Sequence, residues 1–296
     1  MRFAVTGGAG FIGSNIVKQL LKQNHTPIVI DNLYRGKIER VSSPGIEFHK
    51  VDIRNFDQLK KILKNSDGIF HQAALTDVQE SFTKQEEYND VNVKGTENIF
   101  KIAKEFNLKV VYASSSSIYG NPEKIPIIEN SKRDPINPYG KTKLDDELIA
   151  EKYSKDNVSI IGLRYFNVYG KGQTGSYAGV ITKFINKLKE NKNPVIFGSG
   201  TQVRDFIFVE DVALANISAM KSNVNKGFFN IGTGITTSIE QLAKIMINLS
   251  NLKLEIQYQK ALEGDVNNSQ ANTNLTESIL KWKYSIKLKD GLQTII

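Results

Sequence analysis

Thr6-Gly7-Gly8-Ala9-Gly10-Phe11-Ile12-Gly13 is the stretch whose reading decides the fold. It follows a short apolar, strand-like run at residues 3–6 and opens a segment of helical periodicity at 13–23. Its glycines satisfy both G-x-x-G-x-x-G and G-x-G-x-x-G spacing. Positions without side chains let backbone amides approach a pyrophosphate, and a helix N-terminus at the same place favours negative charge. A glycine motif alone is weak evidence; the strand–turn–helix context gives it weight. Gly7, Gly10, Phe11, Ile12 and Gly13 are therefore candidate dinucleotide contacts. Asp31 closes the next strand-like run, 27–31, with Asn32 beside it. A carboxylate there accepts hydrogen bonds from a ribose and repels a 2′-phosphate, so NAD is expected rather than NADP.

Working outward, strand-like runs at 47–51, 68–72, 109–114 and 159–164 alternate with helical patterns at 56–65, 88–106 and 138–155. Such alternation predicts an α/β fold, a doubly wound parallel sheet covered on both faces. After residue 169 the pattern loosens into a glycine-rich loop, a helix at 180–191 and strand-like runs at 194–197 and 204–209. We expect a dinucleotide-binding domain over 1–168, rejoined by the chain around 204–232, and a smaller α/β substrate lobe over most of 169–296.

Composition narrows the class. With 296 residues and 40% hydrophobic content the chain can bury a large core, as one or two domains. It contains no cysteine, which excludes disulfides, thiolate metal sites and a cysteine nucleophile. His25, His49 and His71 are scattered without metal-ligand spacing and read as surface or strand-end residues. The net charge of +8 is dispersed over helices rather than gathered in a tract, so a small phosphorylated ligand is expected and a nucleic acid is not. Met1-Arg2-Phe3 leads straight into a strand, and no apolar run is long enough to span a membrane, so a cytoplasmic protein is expected.

The chemistry is carried by Tyr139-Gly140-Lys141-Thr142-Lys143, directly after Pro138. Proline suits the first turn of a helix. A helix starting here puts Tyr139 and Lys143 on one face, one turn apart. A neighbouring positive charge favours a phenolate over a phenol. Taken alone, such a pair is as compatible with a solvated helix turn as with catalysis.

Together these residues resemble the extended short-chain dehydrogenase/reductase family, and within it the nucleotide-sugar 4-epimerases, including UDP-glucose 4-epimerases. The resemblance runs over Gly7 to Gly13, Asp31, Asp52-Ile53, His71-Gln72-Ala73-Ala74, Asn92-Val93-Lys94-Gly95-Thr96, Ala113 to Gly120, Tyr139 to Lys143, Leu163 to Gly170 and Arg204 to Asp211. It implies that Asp52 and Ile53 flank an adenine, that Ala73, Ala74 and Asn92 line the cofactor, and that Ser115, Tyr139 and Lys143 are catalytic. Related 4,6-dehydratases carry Asp-Glu after the catalytic serine, and related decarboxylases retain the Glu. This chain has Ser116 and Ser117 there, which argues for epimerisation.

For the substrate, a UDP-sugar, the resemblance implies contacts from Asn167, Arg204 and Asp265, with Val180, Phe184 and Phe197 near the uracil. Leu262 replaces the family's usual arginine, which puts one diphosphate contact in doubt, though Lys260 could compensate. Ser269 falls where some UDP-glucose 4-epimerases have a bulky tyrosine, leaving room for an N-acetyl group at C2. The helical segments 88–106 and 138–155 resemble those of a four-helix interface, so a homodimer is expected. The same scaffold also serves dehydratases, decarboxylases, reductases and non-catalytic RNA-binding relatives. An intact Ser115, Tyr139 and Lys143 set speaks against the last of these.

Overall fold

The computed structural model describes residues 1–173, 179–261 and 266–296. The first half runs β1 (Arg2–Thr6), α1 (Phe11–Lys22), β2 (Thr26–Ile30), β3 (Glu47–His49), α2 (Phe56–Leu63), β4 (Gly68–His71), α3 (Val78–Thr83), α4 (Gln85–Tyr88), α5 (Gly95–Phe106), β5 (Val110–Ser115), α6 (Pro138–Lys155) and β6 (Ile160–Tyr165). The second half continues with β7 (Asn167–Tyr169), α7 (Val180–Lys189), β8 (Val195–Phe197), β9 (Val203–Phe208), α8 (Val209–Lys221) and β10 (Lys226–Ile231). It ends with β11 (Thr236–Ser238), α9 (Ile239–Ser250), β12 (Gln257–Gln259), α10 (Asn274–Leu280) and α11 (Leu288–Gln293).

Seven strands form one parallel sheet in the order β10-β6-β5-β4-β1-β2-β3. Its central strands are apolar almost throughout because helices cover both faces. On one face α1 and α8 close over Val5, Val29, Phe70, Val111 and Ile161. On the other, α2, α5 and α6 close over Ala4, Ile28, Ile69, Val110 and Tyr112. The chain winds one way from β1 to β2 and β3 and the other way from β4 to β5 and β6, so the connections that leave the C-terminal ends of the paired strands β1 and β4 diverge. That divergence opens a crevice, the place where open α/β sheets bind ligands. The seventh strand, β10, comes from beyond residue 168: it pairs with β6, Ile231 beside Tyr165.

The remaining strands build two small sheets, β11-β9-β7 and β12-β8. They share a separate apolar core with α7, α9 and α11, in which Phe184, Leu188, Ile196, Leu242 and Met246 are buried. Between α4 and α5 the helix widens into a π turn, Asn89–Lys94. Among the described residues no helix is long and apolar enough to cross a membrane.

Candidate active site

The crevice is a cleft of about 500 Å³. Its floor is the turn from β1 into α1. Gly7 adopts φ +63°, and its N–H donates to Ile30 O at 2.8 Å. A Cβ on Gly7 would sit 2.7 Å from Ala73 N, and one on Gly13 would sit 2.2 Å from Gly7 O. Glycine is therefore required at both positions for the turn to pack against β4 and against itself. Helix α1 starts at Phe11 with Gly10 as its cap, without a capping side chain or an acid in its first turn. Its first amides and the positive end of its dipole are thus left for an anion.

Around this floor, Gly10, Phe11, Ile12, Asp31, Asn32, Asp52, Ile53, Ala73 and Ala74 all line the cleft. Asp31 lies just past β2; its Oδ2 accepts from Ala9 N at 3.0 Å and its Oδ1 from Leu33 N at 2.8 Å. Burial pushes its carboxyl pKa up, and these two amides oppose the shift. Asn32 donates to Asp52 Oδ2 at 2.9 Å. Arg54 grips both oxygens of Asp52, at 2.9 and 2.8 Å, and its hydrogen bonds hold that carboxyl well below the usual range. Asn92 does not line the cleft. It faces inward from the π turn, accepts from Leu75 N at 2.8 Å and donates to Leu75 O and Thr142 Oγ1, each at 3.0 Å. Its amide is fully used in tying the strand-end loop after β4 to α6, the physical reason it is turned away from the ligand space.

Ser115, Tyr139 and Lys143 line the same cleft. Ser115 ends β5 and accepts from Ser117 N at 3.1 Å, capping a single 3₁₀ turn. That cap separates the four serines by role. Ser114, Ser115 and Ser117 all line the cleft, but the Ser114 hydroxyl is committed to buried Glu147 at 2.7 Å. Tyr139 stands in the first turn of α6, where Asn137 caps Gly140 N at 2.8 Å and Pro138 begins the helix. Its backbone N–H is held by Ser81 Oγ at 3.2 Å. Lys143, one turn on, is buried and pairs with Asp146 Oδ2 at 3.1 Å.

On the second lobe's side, Asn167 and Val180 line the cleft; Asn167 Nδ2 donates to Asp205 O at 3.2 Å. Phe197, Arg204 and Ser269 are not among the lining residues. Arg204 is buried, with Nη1 on the carbonyls of Val203 and Asn267 at 2.9 and 3.3 Å, and Ser269 N donates to Val203 O at 3.1 Å. Phe184 belongs to the core of the small lobe. Leu262 and Asp265 lie outside the described residues.

Several functional candidates escaped the sequence reading. Arg35 lines the cleft and pairs with Glu80 of α3. Tyr165, at the end of β6, also lines it, its hydroxyl shared among Gln72 and Asn216. His71 is at a strand end as expected but is fully buried, between Thr6 Oγ1 at 2.6 Å and Thr96 Oγ1 at 2.8 Å. Desolvation lowers its pKa to about 3, so it is neutral. His71 and Tyr165 fall within stretches that carry the resemblance, but their burial and partners follow from strand pairing, and Arg35 lies outside every motif.

Among the described residues no group of three acidic or histidine side chains is placed to hold a metal. The glycine turn, the open start of α1 and Asp31 fit a dinucleotide. The family model of the NAD-dependent epimerase/dehydratase family matches residues 3–232. A protein of Methanocaldococcus jannaschii named "Putative UDP-glucose 4-epimerase" is 39% identical, the match covering 99% of this chain and 96% of that one. The solved UDP-N-acetylglucosamine 4-epimerase of Methanobrevibacter ruminantium, in complex with UDP-N-acetylmuramic acid, superposes with a TM-score of 0.95 at 34% identity, over 99% of this chain and 96% of that one. The Thermotoga maritima UDP-glucose 4-epimerase with UDP-glucose superposes with a TM-score of 0.96 at 31% identity, over 100% of this chain and 97% of that one.

Proposed function

This chain belongs to the NAD-dependent epimerase/dehydratase family, and we propose on that footing that it inverts C4 of a UDP-hexose through a transient 4-keto sugar. The observation that carries this reading is the convergence of Ser115, Tyr139 and Lys143 on the cleft that also holds the glycine turn and Asp31. The chemistry that NAD supplies when bound is reversible hydride exchange with the sugar's C4. Gly7 to Gly13 and Asp31 would hold it.

Tyr139 acts as the base for the 4-hydroxyl, and the same phenol returns the proton when the ketone is reduced. The ammonium of Lys143, one turn along α6, stabilises the phenolate. Ser115 Oγ, already oriented by Ser117 N, donates to the sugar's O4 and holds it against Tyr139. General-base assistance of this kind is worth about 10²–10⁴-fold. Inversion requires the keto sugar to present its other face, so the nucleotide must be gripped and the hexose left free to turn. We assign the grip to Asn167, Val180, Phe197, Arg204 and Asp265. Ser116 and Ser117 offer no carboxylate to eliminate water, which separates this site from a dehydratase's.

A homodimer through the helical segment of residues 88–106 and α6 is part of the proposal, as is a cytoplasmic location. Leu148 on α6 is 46% exposed, as an interface residue would be in the lone chain. The deciding experiment offers the protein UDP-glucose, UDP-galactose and their N-acetyl counterparts, and separates the products. Interconversion without net NADH release is expected. Tyr139→Phe should lower turnover by about 10²–10⁴-fold while NAD stays bound. Undiminished turnover in that variant defeats the assignment, and loss of water or carbon dioxide from the sugar would identify another reaction. Turnover of the N-acetyl pair would fit a small Ser269 beside C2.

A further inference from the structure

Beneath the Tyr139 wall, Lys143 is backed by a run of buried polar groups that the reaction as described does not use. Lys143 and Asp146 are 3% and 0% exposed, and Nζ meets Oδ2 at 3.1 Å. The other carboxylate oxygen of Asp146, Oδ1, is buried without a hydrogen-bond partner among the described residues. Thr96 of α5 lies against this carboxyl, and its hydroxyl meets His71 Nε2 at 2.8 Å. His71 Nδ1 in turn meets Thr6 Oγ1 at 2.6 Å, at the root of the glycine turn.

A carboxylate in such a place is costly. Isolated burial of a charge is expensive, and a buried pair is retained only where its geometry compensates. Neighbouring Glu147 is also buried, but its charge is met by Arg164 at 2.8 Å and Arg133 at 3.2 Å. Asp146 has Lys143 as its one ion-pair partner among the described residues. The reverse side of the pairing decides its use. A buried lysine without a counter-ion can shed its proton up to about four pH units early, and a neutral amine would give Tyr139 no field at all. A paired lysine supplies a smaller field than a bare ammonium but keeps its proton.

We infer that Asp146 is a positioning residue for Lys143, a counter-ion that fixes the ammonium in the cleft wall and keeps it charged through the working pH range. The inference rests on the role given above to Lys143. The titratable and charged groups around Asp146 are Lys143, Asp145 and Glu147 on α6, His71 of β4 and Tyr112 of β5. His71 is neutral, and Glu147 is neutralised by its arginines, so removal of the Asp146 charge falls on Lys143. Burial raises the Asp146 carboxyl pKa to about 7, with Lys143 opposing the shift, so the ion pair forms as pH rises through 7 and is complete at alkaline pH.

The test is the pH dependence of kcat and KM in Asp146→Asn, with Lys143→Met in parallel and bound NAD assayed in each. The alkaline limb of kcat should move down by one pH unit or more, and kcat at pH 8.5 should fall about tenfold, with KM within twofold of the parent. Asp146→Ser, smaller and unable to clash, serves where the amide is not accommodated, and the same inward shift is expected. An unmoved alkaline limb overturns the inference. So does an acid limb extended to lower pH with higher kcat, which would mean that Asp146 mutes Lys143. If Lys143→Met itself leaves kcat intact, the role of Lys143 fails, and the two failures are distinguished.

Discussion

The two sides of the cleft are assembled by different means. On the cofactor side, Gly7 to Gly13, Asp31, Asp52-Ile53 and Ala73-Ala74 each follow the C-terminal end of a parallel strand, β1 to β4 in turn. Their positions follow from sheet topology, and backbone groups do much of the work. On the other side, Asn167, Val180 and Phe206 come from β7, α7 and β9, elements of a small sheet and its flanking helix. There the wall exists because side chains such as Asp205 knot distant segments. Asp205 accepts from Thr233 N, Gly234 N and Ala271 N at 2.8, 2.8 and 3.1 Å. A wall made by topology is intolerant of backbone change, and a wall made by side-chain knots erodes one contact at a time.

Gly13→Ala should break that contrast most severely if the contrast is false. The added Cβ would lie 2.2 Å from Gly7 O and 2.8 Å from Gly8 Cα, so the turn must move. Complete loss of NAD from the purified protein and loss of turnover are expected, measured by the nicotinamide released on denaturation. Retained NAD would show the turn to be more adaptable than its packing implies. Asn167→Ala should cost far less on the other side. About a tenfold fall in kcat/KM for the UDP-sugar with NAD retained is expected, the order of one hydrogen bond. A fall of a thousandfold would mean that this wall is as concerted as the first.

The smallest effect concerns stability and belongs to the cofactor side. The buried neutral His71 has its pKa lowered from 6.5 to about 3, so it contributes stability that is present above pH 6.5 and lost as pH falls. Asp146, raised from 3.8 to about 7, contributes stability that is full below pH 3.8 and lost as pH rises through 7. Between about pH 4 and 6.5 the two slopes oppose each other. Asp146→Asn should leave the His71 slope exposed, steepening the loss of stability towards acid by up to about 1.4 kcal/mol per pH unit. Urea midpoints taken from pH 4.5 to 6.5 measure it, and parallel profiles for parent and variant would sever the two groups from the linkage.

Legibility followed the same division. The glycine turn, the first six strands of the large sheet and the α6 start at Pro138 were readable because each is a short-range pattern with a local cause. Asn92 shows the limit. The motif around it was visible, but the π turn that faces it inward to Leu75 and Thr142 is set by packing between α5 and α6. Arg204 and Ser269 had an implied role; that Arg204 Nη1 reaches the carbonyls at 203 and 267 and Ser269 N the carbonyl at 203 is something no spacing rule foretells. His71 looked like an ordinary strand-end residue, and only the pairing of β4 between β1 and β5 buried it.

The sequence by itself determined a parallel α/β fold, a glycine turn into the first helix with a carboxylate at the end of the next strand, and a tyrosine and lysine one helical turn apart. Each depends on residues close together in the chain, where steric and hydrogen-bonding rules act directly. Only the tertiary structure decided that Ser114 is tied to Glu147 while Ser115 caps the turn after β5, which part of 204–232 pairs with β6, and that Asp146 sits buried against Lys143. Those outcomes depend on burial and on contacts between distant segments, and desolvation, which sets the charge of His71 and Asp146, exists only once the chain has closed around them.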